Sequence, residues 1–207
     1  MGHIPTATTA ETGILTFEDA LRETNADYDR TKWIYVPDFY SEYRYILGTR
    51  GKKPLVTIGI NPSTAKPDEL DNTLKSVERI AHGNGYDSFI MFNVYAQRAT
   101  DPKHMERTFN SERHRENMKA FEYVLSLSES PDIWAAWGTI INVRPYLCEC
   151  VKDMIETGKR YGARWFTCGK KSRSGGHPHH PLYLRKDEKL DEFDVSEYIM
   201  SECFGKR

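Results

Sequence analysis

Four short apolar runs, each bounded by polar or chain-breaking residues, set the rhythm of this chain. Leu55–Ile60, Phe89–Val94, Ile133–Gly138 and Trp165–Cys168 are rich in β-branched and aromatic residues. That is the composition of strands buried on both faces. Between the runs the apolar period lengthens. Leu74, Val77 and Ala81 recur at helical spacing within Asp71–His82, and Gly83 and Gly85 close that segment. Met118, Phe121, Val124 and Leu125 share one face of a helix over Ser111–Ser126, and Arg144–Thr157 reads as another. Strand and helix thus alternate with short connections. The pattern predicts an α/β fold, a single three-layer α/β/α domain on a mainly parallel four-stranded sheet.

The remaining segments are less regular. Residues 1–13 read as a flexible leader and 14–207 as one domain. A short helix is expected over 14–25, an edge strand over Lys32–Pro37, and an extended stretch or helical turn over Tyr40–Leu47. Gly48–Pro54 reads as a basic loop, and Asp194–Phe204 as a last helix.

Composition narrows the class. The 207 residues are 39% hydrophobic and 29% charged, with a formal net charge of -1. This describes a globular chain, not a disordered one or a general polycation. No basic segment followed by an apolar run marks a signal peptide, and no run approaches roughly 18 apolar residues. A cytoplasmic protein without a membrane span is the expectation. Cys148, Cys150, Cys168 and Cys203 match no zinc spacing and are expected to be free thiols in or near the core.

In a parallel α/β sheet, ligands collect beyond the carboxyl ends of the strands. The residues there are unusually polar. Asn61-Pro62-Ser63-Thr64 follows the first run; its amide and backbone N–H groups suit a base edge, a water or an anion, or a plain turn. Asp71 caps the next helix or serves the cleft. Asn93, Tyr95, Gln97, Arg98, Thr100 and Asp101 follow the second run. There Arg98 either meets a phosphate or carboxylate or pairs with Asp101. Gly158–Leu184 holds no acid but six Lys or Arg residues, Lys170 among them. It reads as a basic cleft mouth for a nucleotide or nucleic acid, or as a solvated face. His177, His179 and His180 fit no metal spacing, and His180 beside Pro181 is the best hydrogen-bonding candidate. No metal or cofactor is expected, since neither a P-loop nor a full dinucleotide fingerprint is present.

Gly59-Ile60-Asn61-Pro62-Ser63-Thr64-Ala65, Asp71-Asn72-Thr73, Gly85-Tyr86, Asn93 through Pro102, Ala136-Trp137-Gly138 and His180-Pro181-Leu182-Tyr183-Leu184 together resemble the DUF1643 family, from about residue 35 to 190. The resemblance implies Asn61, Ser63, Thr64, Asp71, Asn93, Arg98, Thr100, Asp101, Asn117 and His180 as marked positions. Gly59-Ile60-Asn61-Pro62 is also similar, more distantly, to the first motif of the mismatch-specific uracil/thymine DNA glycosylases. That likeness implies a uracil-DNA-glycosylase-like fold, with Asn61 placing a water and His180 steadying the departing base. It directs expectation to an N-glycosidic hydrolase acting on a nucleobase-containing substrate, a small molecule or a nucleic acid, with Asp71 as base, His180 and Arg98 stabilising the departing base or a phosphate, and Tyr95 or another aromatic stacking the ring. A non-catalytic nucleotide or nucleic-acid binding module remains the competing reading, and another small-molecule transferase or hydrolase the third.

Overall fold

The computed structural model describes residues 14–24, 26–170 and 176–204. The expected leader 1–13, and Lys171 and Arg173 of the basic stretch, lie outside the described residues. The first helix, α1 (Phe17–Ala20), is one turn long. Three strands follow, β1 (Trp33–Val36), β2 (Ile46–Thr49) and β3 (Pro54–Gly59). Then come α2 (Asn72–Gly83), β4 (Ser88–Asn93), α3 (Ser111–Ser126), β5 (Asp132–Ala135), α4 (Tyr146–Arg160), β6 (Arg164–Cys168), β7 (Leu190–Glu192) and α5 (Val195–Tyr198), which continues as a wider turn to Phe204.

The strands form one mixed sheet in the order β1-β2-β4-β3-β5-β6-β7. Its centre, β4-β3-β5-β6, is parallel and consists of the four apolar runs. Among the described residues the sheet has seven strands where four were expected. β2 adds antiparallel to β4, β1 to β2, and β7 to β6. The segment read as a basic loop begins instead inside β2, because Gly48 lies directly against the backbone of Phe89 and Ile90.

Helices cover both faces. Val56 and Ile58 of β3 share a core with Phe121 and Val124 of α3 and Leu147, Val151 and Met154 of α4. Leu55 points the other way, to Leu74, Val77 and Ile80 of α2. This alternation is the period-2 geometry of a strand buried on both sides. The crossover from β3 to β4 therefore runs over one face, and that from β5 to β6 over the other. The sheet changes direction between β3 and β5, which is where an α/β sheet opens a crevice.

The cysteines divide. Cys150 and Cys168 are free and buried, as expected. Cys148 and Cys203 are joined in a disulfide, with Cα atoms 5.7 Å apart, which corrects the reading of all four as thiols. Two residues apart on α4, Cys148 and Cys150 point to different faces. One enters the core and the other meets the C-terminal segment, at a separation a bridge can span. Among the described residues no helix is long and apolar enough to cross a membrane.

Candidate functional site

A cleft of about 370 Å³ opens at the change of direction, a size that holds one small organic molecule. Gly59, Ile60 and Asn61 from the end of β3 form one wall, and Asp71 to Leu74 at the start of α2 form a second. Ala99, Thr100 and Pro102 come from the loop after β4, Ile140 from the turn after β5, and His180 and Leu182 close the far side. The three residues expected to carry the chemistry, Asn61, Asp71 and His180, thus line one cavity, as do Ser63 and Thr100.

Each of the three is held by its local chain. Asn61 Nδ2 donates to the backbone oxygens of Ala99 at 2.7 Å and Pro62 at 3.1 Å. The amide fastens two loops together, and its Oδ1 is the atom left for a ligand or water. Asp71 is the N-cap of α2, with Oδ1 accepting from Leu74 N at 2.9 Å. Its second oxygen makes no hydrogen bond among the described residues. Both roles weighed for Asp71 are therefore present geometrically, one carboxylate oxygen serving each. His180 Nδ1 accepts from Leu182 N at 3.4 Å. In the neutral ring this leaves the hydrogen on Nε2.

Gly138 seats His180. Its φ is +62°, and a Cβ there would come within 3.3 Å of the His180 Cβ. Both the backbone conformation and the space call for glycine.

Burial holds the His180 pKa below the ordinary imidazole range, and the Asp71 carboxylate partly opposes this. The unfolded chain then takes up this proton first as pH falls. Stability from the neutral ring is complete above about pH 6.5, the unfolded value, and declines below it toward the lower folded value. His180→Asn is expected to remove that part of the acid loss. Urea unfolding at pH 7.5 and 5.5 measures it, and an unchanged difference between the two pH values in the variant contradicts it.

Other expected site residues turn inward. Tyr95 is 1% exposed and its hydroxyl donates to Glu106 Oε2 at 2.5 Å, so it offers no face to a base. Asn117 is buried and donates to the backbone oxygens of Asn93 and Val94, which fixes the end of β4. The Asn93 side chain is buried, and among the described residues neither of its polar atoms has a hydrogen-bond partner. Arg98 donates to Ser63 O and, at 2.8 Å, to Tyr35 Oη. It does not pair with Asp101, whose Oδ1 instead accepts from Lys103 N and caps a short turn. Thr64, Arg98 and the exposed ring of Tyr40 line an adjoining hollow, which shares Ser63, Ala99 and Thr100 with the cleft.

Two members of the basic stretch lie away from the cleft. Arg164 is held by Asp132 at 2.7 and 2.8 Å and Arg160 by Glu122 at 2.7 Å. Arg164 and Asp132 begin β6 and β5, the end of the sheet away from the cleft. Lys170 is exposed after β6 and is not among the lining residues. His177 is 2% exposed. Asn142 Nδ2 donates to its Nε2 at 2.9 Å, and its Nδ1–H is then donated to Tyr198 Oη at 2.7 Å. Among the described residues no group of three His, Cys, Asp or Glu side chains is arranged to hold a metal.

Sequence reasoning missed Arg44. It is 1% exposed and lines the cleft. A charged residue between Tyr43 and Tyr45 in an otherwise apolar stretch was the available signal.

A family model described as a protein of unknown function, DUF1643, matches residues 44–182. The matched span begins at Arg44 and ends at Leu182, both on the cleft wall. No curated protein and no solved structure matches the chain. The likeness to DNA glycosylases therefore rests on the motif residues alone.

Proposed function

Because the chain belongs to the DUF1643 family, whose function is unknown, we propose from the site itself that the cleft hydrolyses the N-glycosidic bond of a nucleobase-containing small molecule. The carrying observation is the convergence of Asn61, Asp71 and His180 on one cavity at the carboxyl ends of the strands.

In this reading a water oxygen bonds to the anomeric carbon as the carbon–nitrogen bond breaks. Asp71, through the oxygen not used for capping, takes the water's proton, and Asn61 Oδ1 orients that water. The bonding pair leaves with the base nitrogen. His180 Nε2–H donates a hydrogen bond to the base as negative charge develops on it, and solvent protonates it afterwards. A neutral imidazole suits a donor that does not transfer its own proton. The apolar lining from Ile60, Met91, Ile140 and Leu182 excludes water around the bond, and Tyr40 supplies an aromatic face in the adjoining hollow.

One observation favours the non-catalytic alternative. Both hydrogens of the Asn61 amide are committed to backbone oxygens, which gives this residue a structural task whatever the ligand does.

The two readings separate in one experiment. Nucleosides and nucleotides are screened by thermal shift, then incubated with the protein, and released base is quantified. The hydrolase reading expects turnover, with Asp71→Asn slowing it by about 100-fold or more while ligand still binds. A thermal shift without released base supports a binding module. No shift with any compound removes both.

A further inference from the structure

The floor of the cleft holds a charge with no counter-charge. Arg44 leads into β2, and its backbone N–H bonds to Ala96 O at 3.0 Å, so the residue is fixed at both ends. Its side chain is fully enclosed by the fold, except where it borders the cleft. One guanidinium nitrogen donates to Ala65 O at 3.0 Å, and among the described residues Nε has no partner. Among the described residues no carboxylate comes within ion-pair distance of it. Burial, reinforced by the neighbouring Arg98 cation, pulls its pKa down to about 9; Tyr35 and Asp71 act in the opposite direction. It stays charged at neutral pH.

A buried cation without an anion is costly to the folded state. Its side-chain hydrogen bond to Ala65 O supplies no counter-charge. The same wall carries Asn72 and Thr73 at the start of α2, a twelve-residue helix. The first backbone N–H groups of a helix lack intrahelical partners and favour negative charge. Arg44 and the helix start therefore line one small volume. Asp71 beside them caps with one oxygen and leaves the other for the water of the reaction proposed above.

We propose that Arg44 is an anion subsite that receives the phosphomonoester of the cleft's ligand, so that the substrate class is a nucleoside monophosphate and not a free base or nucleoside. The anion part stands on Arg44 alone; the nucleoside part rests on the function proposed above. A guanidinium donates charge-assisted hydrogen bonds to phosphate oxygens, and the ligand brings the charge that the fold leaves out.

The test uses the intact protein at constant ionic strength, with inorganic phosphate, a set of 5′-monophosphates, the matching nucleosides and a small carboxylate as probes. Calorimetry is expected to find at least one monophosphate bound about tenfold or more tighter than its nucleoside. Phosphate alone should compete with it, and the carboxylate should compete less well. In Arg44→Met the preference for the monophosphate is expected to vanish while the melting temperature without ligand holds or rises, as for the removal of an uncompensated charge. Arg44→Lys, which keeps the charge without the fork, should keep part of the preference and serves if the methionine variant does not fold. Equal binding of monophosphate and nucleoside by the wild type overturns the proposal. So does a preference that survives undiminished in Arg44→Met, or one as large in Arg44→Lys as in the wild type, or a protein indifferent to phosphate. A carboxylate that outcompetes phosphate overturns the phosphomonoester assignment. Phosphate binding that depends on Arg44, with no gain from any nucleoside attached to it, leaves the anion subsite standing and removes the nucleobase reading.

Discussion

Trp137→Ala is expected to lower the unfolding free energy by about 4 kcal/mol, the range for deleting a large aromatic side chain from a core. The indole is 0% exposed and lies 5.8 Å from the Tyr198 ring and 6.4 Å from that of Trp165, centroid to centroid. Its Nε1 donates to Tyr198 Oη at 3.0 Å, and the same hydroxyl meets His177. Removing Trp137 therefore opens a cavity under α5 and frees the hydroxyl that holds the loop leading to His180. Trp137→Phe keeps most of the volume and loses the N–H donor, so a smaller cost of about 1 to 3 kcal/mol is expected. Urea denaturation followed by circular dichroism distinguishes the two. Equal losses would show that the hydrogen bond, not the ring, matters.

The second large effect lies at the opposite side of the sheet. Gly48→Ala is expected to cost about 3 kcal/mol. A Cβ at this position would stand 2.2 Å from Phe89 O and 2.8 Å from Ile90 Cα. Both are backbone atoms of β4, which is fixed on its other side by six residues of parallel register with β3. Neither can move aside, so β2 must lift from the sheet and take β1 with it. Gly83→Ala is the control. Gly83 ends α2, and a Cβ there meets nothing within 4 Å. That substitution is expected to be neutral or to stabilise by about 0.5 kcal/mol. If Gly48→Ala unfolds at the same urea concentration as the wild type, the pairing of β2 with β4 is wrong.

The sequence made the centre of the fold legible because burial on both faces leaves a compositional mark. Leu55–Ile60 and Phe89–Val94 are almost wholly apolar, and no other element of this length needs that. β2 carries no such mark. It is four residues long and includes Gly48 and the partly exposed Thr49, and its pairing depends on contact with a strand 40 residues away. β7, with Asp191 and Glu192, carries no such mark either. The Cys148–Cys203 pairing spans 55 residues and depends on where the tail packs.

The site divides along similar lines. Asn61, Asp71 and His180 follow strands or open a helix, so topology alone sends them to the cleft. Tyr95 and Asn117 are polar in the same neighbourhood, and whether such a side chain faces a ligand or a backbone carbonyl is decided by tertiary contacts. Arg44 escaped notice because a charge beside aromatic residues ordinarily snorkels to water. The basic stretch is contiguous in sequence but not in space: Arg160 ends α4 and Arg164 opens β6, while Lys170 follows the other end of that strand.

The antiparallel strands added at the two margins bear on how the protein behaves when concentrated. An unpaired margin of β-structure is a template on which another chain can lay a strand, and filaments grow that way. β7 is too short to offer much of one. Its first N–H donates to Asn84 Oδ1 at 3.1 Å, the preceding Lys189 is tied to Gly83 O at 2.7 Å, and its two remaining side chains are acidic. At the other margin all four residues of β1 are buried, and the Trp33 carbonyl accepts from Arg50 Nε at 3.2 Å. The parallel core, whose apolar strands would pair readily with copies of themselves, is thus enclosed by margins that discourage strand addition.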